Sequence, residues 1–226
     1  MTVGYVDATG PALLPGAFLK RLGQPLPAAR AVELGGSLQA LTYSGLQPKG
    51  LPGSRLRLYA VPTSRGVATV ACSGPARATE AFNADCDRAA SSLALMSGKA
   101  FPLGEDTGYA RTLKTALNKF NRARRKGAAK LRDAQRPSGQ ADAAGAIAGA
   151  YGAAARSLRG ATTNPQVAGA NMDVVTALSR LRRAYERLAG AARRNSPSAY
   201  VAAGTTISRA QRALRRALTK TRAASS

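Results

Sequence analysis

Few residue types in this chain can do chemistry. Histidine is absent, which removes the side chain most used for proton transfer near neutral pH and the commonest metal ligand. Ser-His, Cys-His and His-metal arrangements are therefore excluded. The two cysteines, Cys72 and Cys86, cannot build a four-cysteine zinc site, and without histidine they cannot complete a mixed one. No GxxxxGK[ST] loop occurs, no GxGxxG follows a strand-like run, and Gly98-Lys99 lacks phosphate-cradling glycines before it. Kinase glycine-loop, HRD and DFG segments are also missing. Asp85 with Asp87, and Glu105 with Asp106, suit a helix surface and a helix N-terminus better than an acid–base pair. The expectation is a non-enzymatic chain that uses no cofactor and no metal.

Positive charge, by contrast, is abundant. The 226 residues carry 34 Lys plus Arg against 11 Asp plus Glu, a net charge of +23. Residues 1–104 hold 10 basic and 5 acidic side chains, whereas residues 105–226 hold 24 and 6, so +18 of the charge lies in the second region. Of the 12 prolines, 9 fall in the first region, and two differently built domains, 1–104 and 105–226, are expected. Within the second, the basic residues recur at helical spacing in three stripes: Lys119, Arg122, Lys126 and Lys130; Arg180, Arg183, Arg187 and Arg194; Arg209, Arg212, Arg216 and Lys220. Like charges at i,i+4 cost roughly 0.2–0.5 kcal/mol per pair, a repulsion that a bound polyanion would relieve. The stripes are candidate binding faces for nucleic acid, an anionic envelope polymer or lipid headgroups. The competing reading is a solvated surface shaped by GC-rich coding, which the excess of 26 Arg over 8 Lys fits.

The elements that must carry these residues differ between the regions. In the first, Thr2–Asp7, Ala31–Leu34, Leu38–Ser44, Ser54–Val61 and Gly66–Cys72 read as strands. Arg55-Leu56-Arg57-Leu58 alternates with period two, as one buried and one wet face would, and Pro62 to Gly66 reads as the link of an antiparallel hairpin. Helices are expected over Leu13–Leu22 and over Thr79–Leu95, where Phe82, Cys86, Ala89 and Leu93 recur at spacings of 4, 3 and 4. The first domain is thus α+β, an antiparallel sheet with packed helices.

The second region reads as four helices, over about 106–135, 139–159, 165–194 and 197–222. Asn164-Pro165 and Ser196-Pro197 each place an N-cap before a first-turn proline, while Pro137 and Gly160 close the first and second helices. Short links favour antiparallel neighbours, so an all-α antiparallel four-helix bundle should follow, with Gly145 and Gly149 among the small seam residues that allow close approach. Tyr109, Phe120, Tyr151, Tyr185 and Tyr200 fall on the apolar seams. They read as core with a polar tip, or as a tyrosine-lined ligand site between helices, and less as the exposed stacking rings of a single-strand binder. No zinc-finger, RRM or helix-turn-helix pattern occurs, so any DNA binding would be electrostatic and non-specific.

Cys72 ends a strand and Cys86 lies on the apolar stripe of the next helix, so a strand-to-helix disulfide is reasonable; two buried reduced thiols are the alternative. A bridge closing about 15 residues would stabilise by roughly 3 kcal/mol in the chain-entropy model and would place folding in an oxidising compartment. Met1 to Asp7 has neither a basic start nor an apolar core, and Ala143–Ala155 is too short and too rich in Ala and Gly to span a bilayer. A signal or anchor upstream, and a first domain truncated at its N-terminus, are therefore expected.

The segment Leu56-Arg57-Leu58-Tyr59-Ala60-Val61-Pro62-Thr63-Ser64-Arg65-Gly66-Val67-Ala68-Thr69-Val70-Ala71-Cys72, followed by Phe82, Cys86, Ala89 and Leu93, resembles a module of actinobacterial extracytoplasmic proteins. So does the Pro102-Leu103-Gly104 to Tyr109-Ala110 junction that leads into the Ala/Arg-rich helices. Together they resemble the outward-facing C-terminal region of membrane-anchored serine/threonine protein kinases, and the first domain is loosely similar to PsbP-like lipoproteins. The resemblance implies a ligand-sensing ectodomain on the outer face of the cell membrane, with a kinase domain and a transmembrane helix in cis. The expected function is a non-catalytic extracytoplasmic sensor or interaction region whose ligand is an anionic envelope polymer or lipid headgroup. The alternative is a cytoplasmic, histone-like nucleic-acid binder.

Overall fold

Short β-prone runs separated by turn residues form strands β1 (Thr2–Val6), β2 (Arg30–Leu34), β3 (Leu38–Leu46), β4 (Ser54–Thr63) and β5 (Gly66–Pro75), with short helix α1 (Gly16–Lys20) after β1. They are followed by α2 (Glu80–Ser91), α3 (Thr107–Asp133), α4 (Pro137–Arg159), α5 (Pro165–Arg193) and α6 (Pro197–Ala224). This is a computed structural model describing residues 1–75, 77 and 80–224. Thr79, expected to open α2, lies outside the described residues. The chain is α+β, and it divides into a sheet unit, Met1–Asp106 with Thr163–Gly169, and a helical unit, Thr107–Thr162 with Ala170–Ala223.

In the sheet unit, five strands run antiparallel in the order β1-β5-β4-β3-β2. Central β4 alternates its side chains between two cores. Leu58 and Ala60 join Leu13, Tyr43 and Val67, while Tyr59 and Val61 join Val70, Cys86 and Ala90. The sequence pattern of one buried and one wet face therefore holds only at the start of β4, because α2 covers the second face. A disulfide between Cys72 and Cys86 fixes that helix to β5. Arg57, which alternation would place in water, sits opposite Cys72 across the β4/β5 ladder. Its side chain is only 19% exposed and pairs with Asp87 of α2 at 2.7 Å. The Arg57 Nε–H donates to the Tyr59 hydroxyl at 2.7 Å, and that hydroxyl donates to Asp87. Burial, then Asp87, pushes the Tyr59 hydroxyl above its ordinary pKa, with Arg57 opposing.

Local chemistry moves three boundaries. The helix expected over Leu13–Leu22 shrinks to Gly16–Lys20, because Pro15 caps it with φ −59° and ψ 136° and disfavours helical backbone in the residue before it. Leu13 turns at φ 52° and enters the core as loop, fully buried. The β4/β5 strands continue to Thr63 opposite Gly66, leaving a two-residue turn whose geometry requires the left-handed Gly66 at φ 111°. Pro137 opens α4 at its first turn rather than closing α3, as its missing N–H permits.

The helical unit is a bundle of four long helices whose core draws on all of them. As residue number rises along α3 it falls along α4, with Phe120 on Tyr151 at 4.6 Å and Gly127 against Ile147, and Tyr151 in turn stacks on Tyr185 of α5 at 5.5 Å. Lys220 reaches Asp173 at 2.7 Å, so α6 runs back along α5. The expected seam tyrosines are core: Tyr109 and Tyr151 are buried and Tyr185 is half-buried. A buried polar thread ties three helices together, in which Tyr109 O–H donates to Asn171 Oδ1 at 3.0 Å and Asn171 Nδ2 donates to the Leu158 carbonyl at 3.1 Å. That carbonyl, one of the last of α4, also accepts from Ala161 N–H at 3.3 Å, so the thread joins the helix end where its carbonyls run out of intrahelical donors. Close approach does not occur at Gly145 or Gly149, where a Cβ would meet nothing within 4 Å. It occurs at Gly127, where a Cβ would lie 2.6 Å from Ile147 Cγ1.

Two outcomes follow. Gly127→Ala should destabilise by ~1–3 kcal/mol through overpacking, whereas Gly145→Ala and Gly149→Ala should each stabilise by up to ~1 kcal/mol through helix propensity. Denaturant midpoints of the same sign for all three would contradict this packing. Replacing both Cys72 and Cys86 by Ser should cost the sheet unit about 3 kcal/mol, read by guanidinium unfolding; an unchanged midpoint would contradict a staple on α2.

Candidate polyanion-binding groove

The site begins with a spacing. On α5, residues 180, 183 and 187 advance by 3 and 4 positions, and Arg194, in the turn just past the helix, follows 7 later, steps that return to one side of a helix. On α6, Arg209 and Arg216 are 7 apart. Between these rows the helices meet through small side chains, among them Ala184, Ala203 and Ala210, all buried. A floor so shallow leaves a groove that the flanking long side chains must wall.

Two adjoining clefts make up this groove. One of about 600 Å³ is lined by Arg183, Arg187, Arg194, Gly190 and Thr206 with neighbouring alanines and Glu186. The other, of about 430 Å³, is lined by Arg180, Arg183, Arg187, Arg209, Arg216 and Thr206 with further alanines. Arg183, Arg187 and Thr206 belong to both, so the clefts are continuous. From Arg180 to Arg187 the α5 row extends for about 10 Å at 1.5 Å per residue, and Arg194 continues it in the turn beyond the helix. The one acid in the lining, Glu186, is 3.5 Å from Arg182, which lines neither cleft. Among the described residues, none of the six groove arginines takes part in an ion pair.

The stripes read from the sequence are thus redistributed. Arg180, Arg183 and Arg187 come together with Arg209 and Arg216, two stripes merging into one site. Arg212 is exposed and lies outside the groove. Lys220, grouped with it in the sequence, is engaged by Asp173. Lys119, Arg122, Lys126 and Lys130 are all exposed on α3 and contribute nothing to the α5–α6 groove. Arg122 instead shares a surface concavity with Asn118, Asn121, Arg124 and Arg125 of its own helix. Gly190 and Thr206 carry no charge signal and were invisible to sequence reasoning, although the Ala/Gly seam marks where two helices approach closely.

The chemistry available here is recognition of anions. Exposed guanidinium groups in two rows offer planar, bidentate donors to phosphate or carboxylate oxygens. Among the described residues no cluster of three potential metal ligands exists, and no helix is long and apolar enough to cross a membrane. No aromatic ring lines the groove, so bases would find no stacking platform there.

Without a ligand, the two rows repel. Raising NaCl from ~20 mM to ~0.5 M shortens the screening length severalfold and should raise the Tm of the chain by a few degrees. The Arg183→Gln, Arg187→Gln double variant should be the more stable protein at low salt and show a flatter dependence. A Tm that is flat or falls with salt in the parent protein would contradict uncompensated repulsion. No protein-family model, no curated protein and no solved structure matches this chain.

Proposed function

We propose that the chain is a non-catalytic extracytoplasmic interaction region whose helical unit binds an anionic envelope ligand along the α5–α6 groove. The observation that carries the reading is the convergence of six arginines from α5, the turn that follows it and α6 on one groove, none of them ion-paired among the described residues. The Cys72–Cys86 disulfide is compatible with an oxidising compartment and supports a location outside the membrane. The resemblance to kinase ectodomains supports a sensor role, with a kinase domain and a membrane span in cis. At such a surface the common chemistry is phosphate, spaced along a wall polymer or presented by lipid headgroups. The inward rings of Phe120 and Tyr151 weigh against nucleic-acid bases as partners.

Calorimetric titration of the full chain with poly(glycerol phosphate), and separately with phosphatidylglycerol vesicles, tests the reading and distinguishes the two phosphate sources. Binding should be salt-dependent, with log K falling against log salt at a slope of about −4 for six contacts on a flexible polyanion. The Arg183→Gln, Arg187→Gln, Arg209→Gln variant should bind at least tenfold more weakly, while Lys119→Gln, Lys126→Gln, Lys130→Gln should change affinity much less. Absence of binding to both ligands at about 50 mM salt would overturn the reading. Tighter binding to a short DNA duplex would favour the histone-like alternative. Two alkylatable thiols in unreduced protein taken from its native host would contradict the extracytoplasmic location.

A further inference from the structure

A second cleft, of about 330 Å³, opens between α3 and α6 and is built differently from the arginine groove. Its inner wall is apolar: Phe120 and Tyr151 from the aromatic stack, with Leu117 and Leu214 beside them. Its polar groups are few, and two are cationic, Arg124 of α3 and Arg215 of α6. No Asp or Glu lines it, and among the described residues Arg124 has no ion-pair partner.

Arg124 is half-buried and its positive charge acts on the hydroxyls of both Tyr151 and Tyr185. Burial raises the Tyr151 pKa to about 12, with Tyr185 adding to the shift and Arg124 opposing it. That hydroxyl therefore stays neutral and available as a donor at physiological pH. Gln211, also on the cleft wall, is within hydrogen-bonding reach of Tyr185. An apolar wall, a volume at the small end of ligand pockets and a few convergent polar groups are the usual construction of a small-molecule site. A half-buried guanidinium without a carboxylate adds a demand for negative charge at its edge.

We propose that the α3–α6 cleft binds a small amphipathic monoanion, whose apolar body packs on the partly exposed Leu117 and Leu218 above the buried Phe120, Tyr151 and Leu214, and whose single carboxylate is taken by Arg124. Charge complementarity selects an anion over a neutral amphiphile, since no acid in the cleft could pair with a cationic head. The apolar wall selects a ligand with a hydrocarbon or aromatic body over a bare anion. The site is independent of the α5–α6 groove, with which it shares no lining residue.

The test uses decanoate, below its micellar concentration, titrated into the full chain by calorimetry and by tyrosine fluorescence. Saturable one-to-one binding is expected, with acetate and decanol each at least tenfold weaker. Arg124→Gln should weaken decanoate at least tenfold. Arg122→Gln, on the same helix and outside the cleft, should leave it unchanged, and so should the Arg183→Gln, Arg187→Gln groove variant. No saturable binding, equal affinity for decanol, or equal affinity in Arg124→Gln with its circular dichroism unchanged would each overturn the proposal. Loss of decanoate binding in the groove variant alone would assign the anion to the groove and also overturn it. A chain that binds poly(glycerol phosphate) but not decanoate would refute this site and leave the groove reading standing.

Discussion

The small side chains between α5 and α6, alanines that line both clefts, are what bring the arginines together. Where α5 and α6 meet, the core contributes Ala184, Leu188, Ala203, Ile207 and Ala210, and small side chains at a helix interface allow the axes to approach toward the lower end of the usual 8–10 Å spacing. Long side chains on either flank of such a seam have no room in the core and must project along the same groove. With only 6 acids among residues 105–226, the bundle has few groups with which to neutralise them. The charge is thus a consequence of helix packing as much as of composition: the same residues on splayed helices would be separate, well-solvated stripes.

The sheet unit solves a different problem. A five-stranded sheet buried on both faces needs cover on each side, and α2 supplies one cover with only Cys86 and Ala90 fully buried among its residues. So few fully buried side chains are a weak anchor on hydrophobic area alone. The bond from Cys86 to Cys72 and the neighbouring Arg57–Tyr59–Asp87 cluster sit side by side and hold the same helix to adjacent strands. The pairing of a covalent staple with a partly buried ion pair explains why an arginine occupies a strand position that otherwise reads as solvent-facing.

Much of this architecture was legible in the residues. Proline before a helical run and asparagine as its cap mark the start of α5, where Asn164 Oδ1 accepts from Gln166 N–H at 3.0 Å. The 3/4 apolar rhythm located all four long helices within a few residues. The strand–helix disulfide was readable because Cys86 falls on an apolar stripe with Phe82 and Ala89. Less legible were features that depend on which helices are neighbours. Periodicity gives each helix a basic face but cannot say that the faces of α5 and α6 adjoin while that of α3 stands apart. Nor could it tell that Gly127, rather than Gly145 or Gly149, meets a partner, since contact depends on rotation about the axis. Arg124 carries no signal of its own in the sequence, because its half-burial beside Tyr151 and Tyr185 arises only once three helices are assembled.

The central claim is that anion recognition resides in one groove rather than in diffuse surface charge, and arginine side-chain NMR reads that distinction most directly. In a titration of the labelled full chain with poly(glycerol phosphate), the Nε–H signals of Arg180, Arg183, Arg187, Arg209 and Arg216 should shift together and saturate, with Arg122 and Arg212 nearly still. Equal, non-saturating shifts across all arginines, or shifts concentrated on α3, would contradict the account.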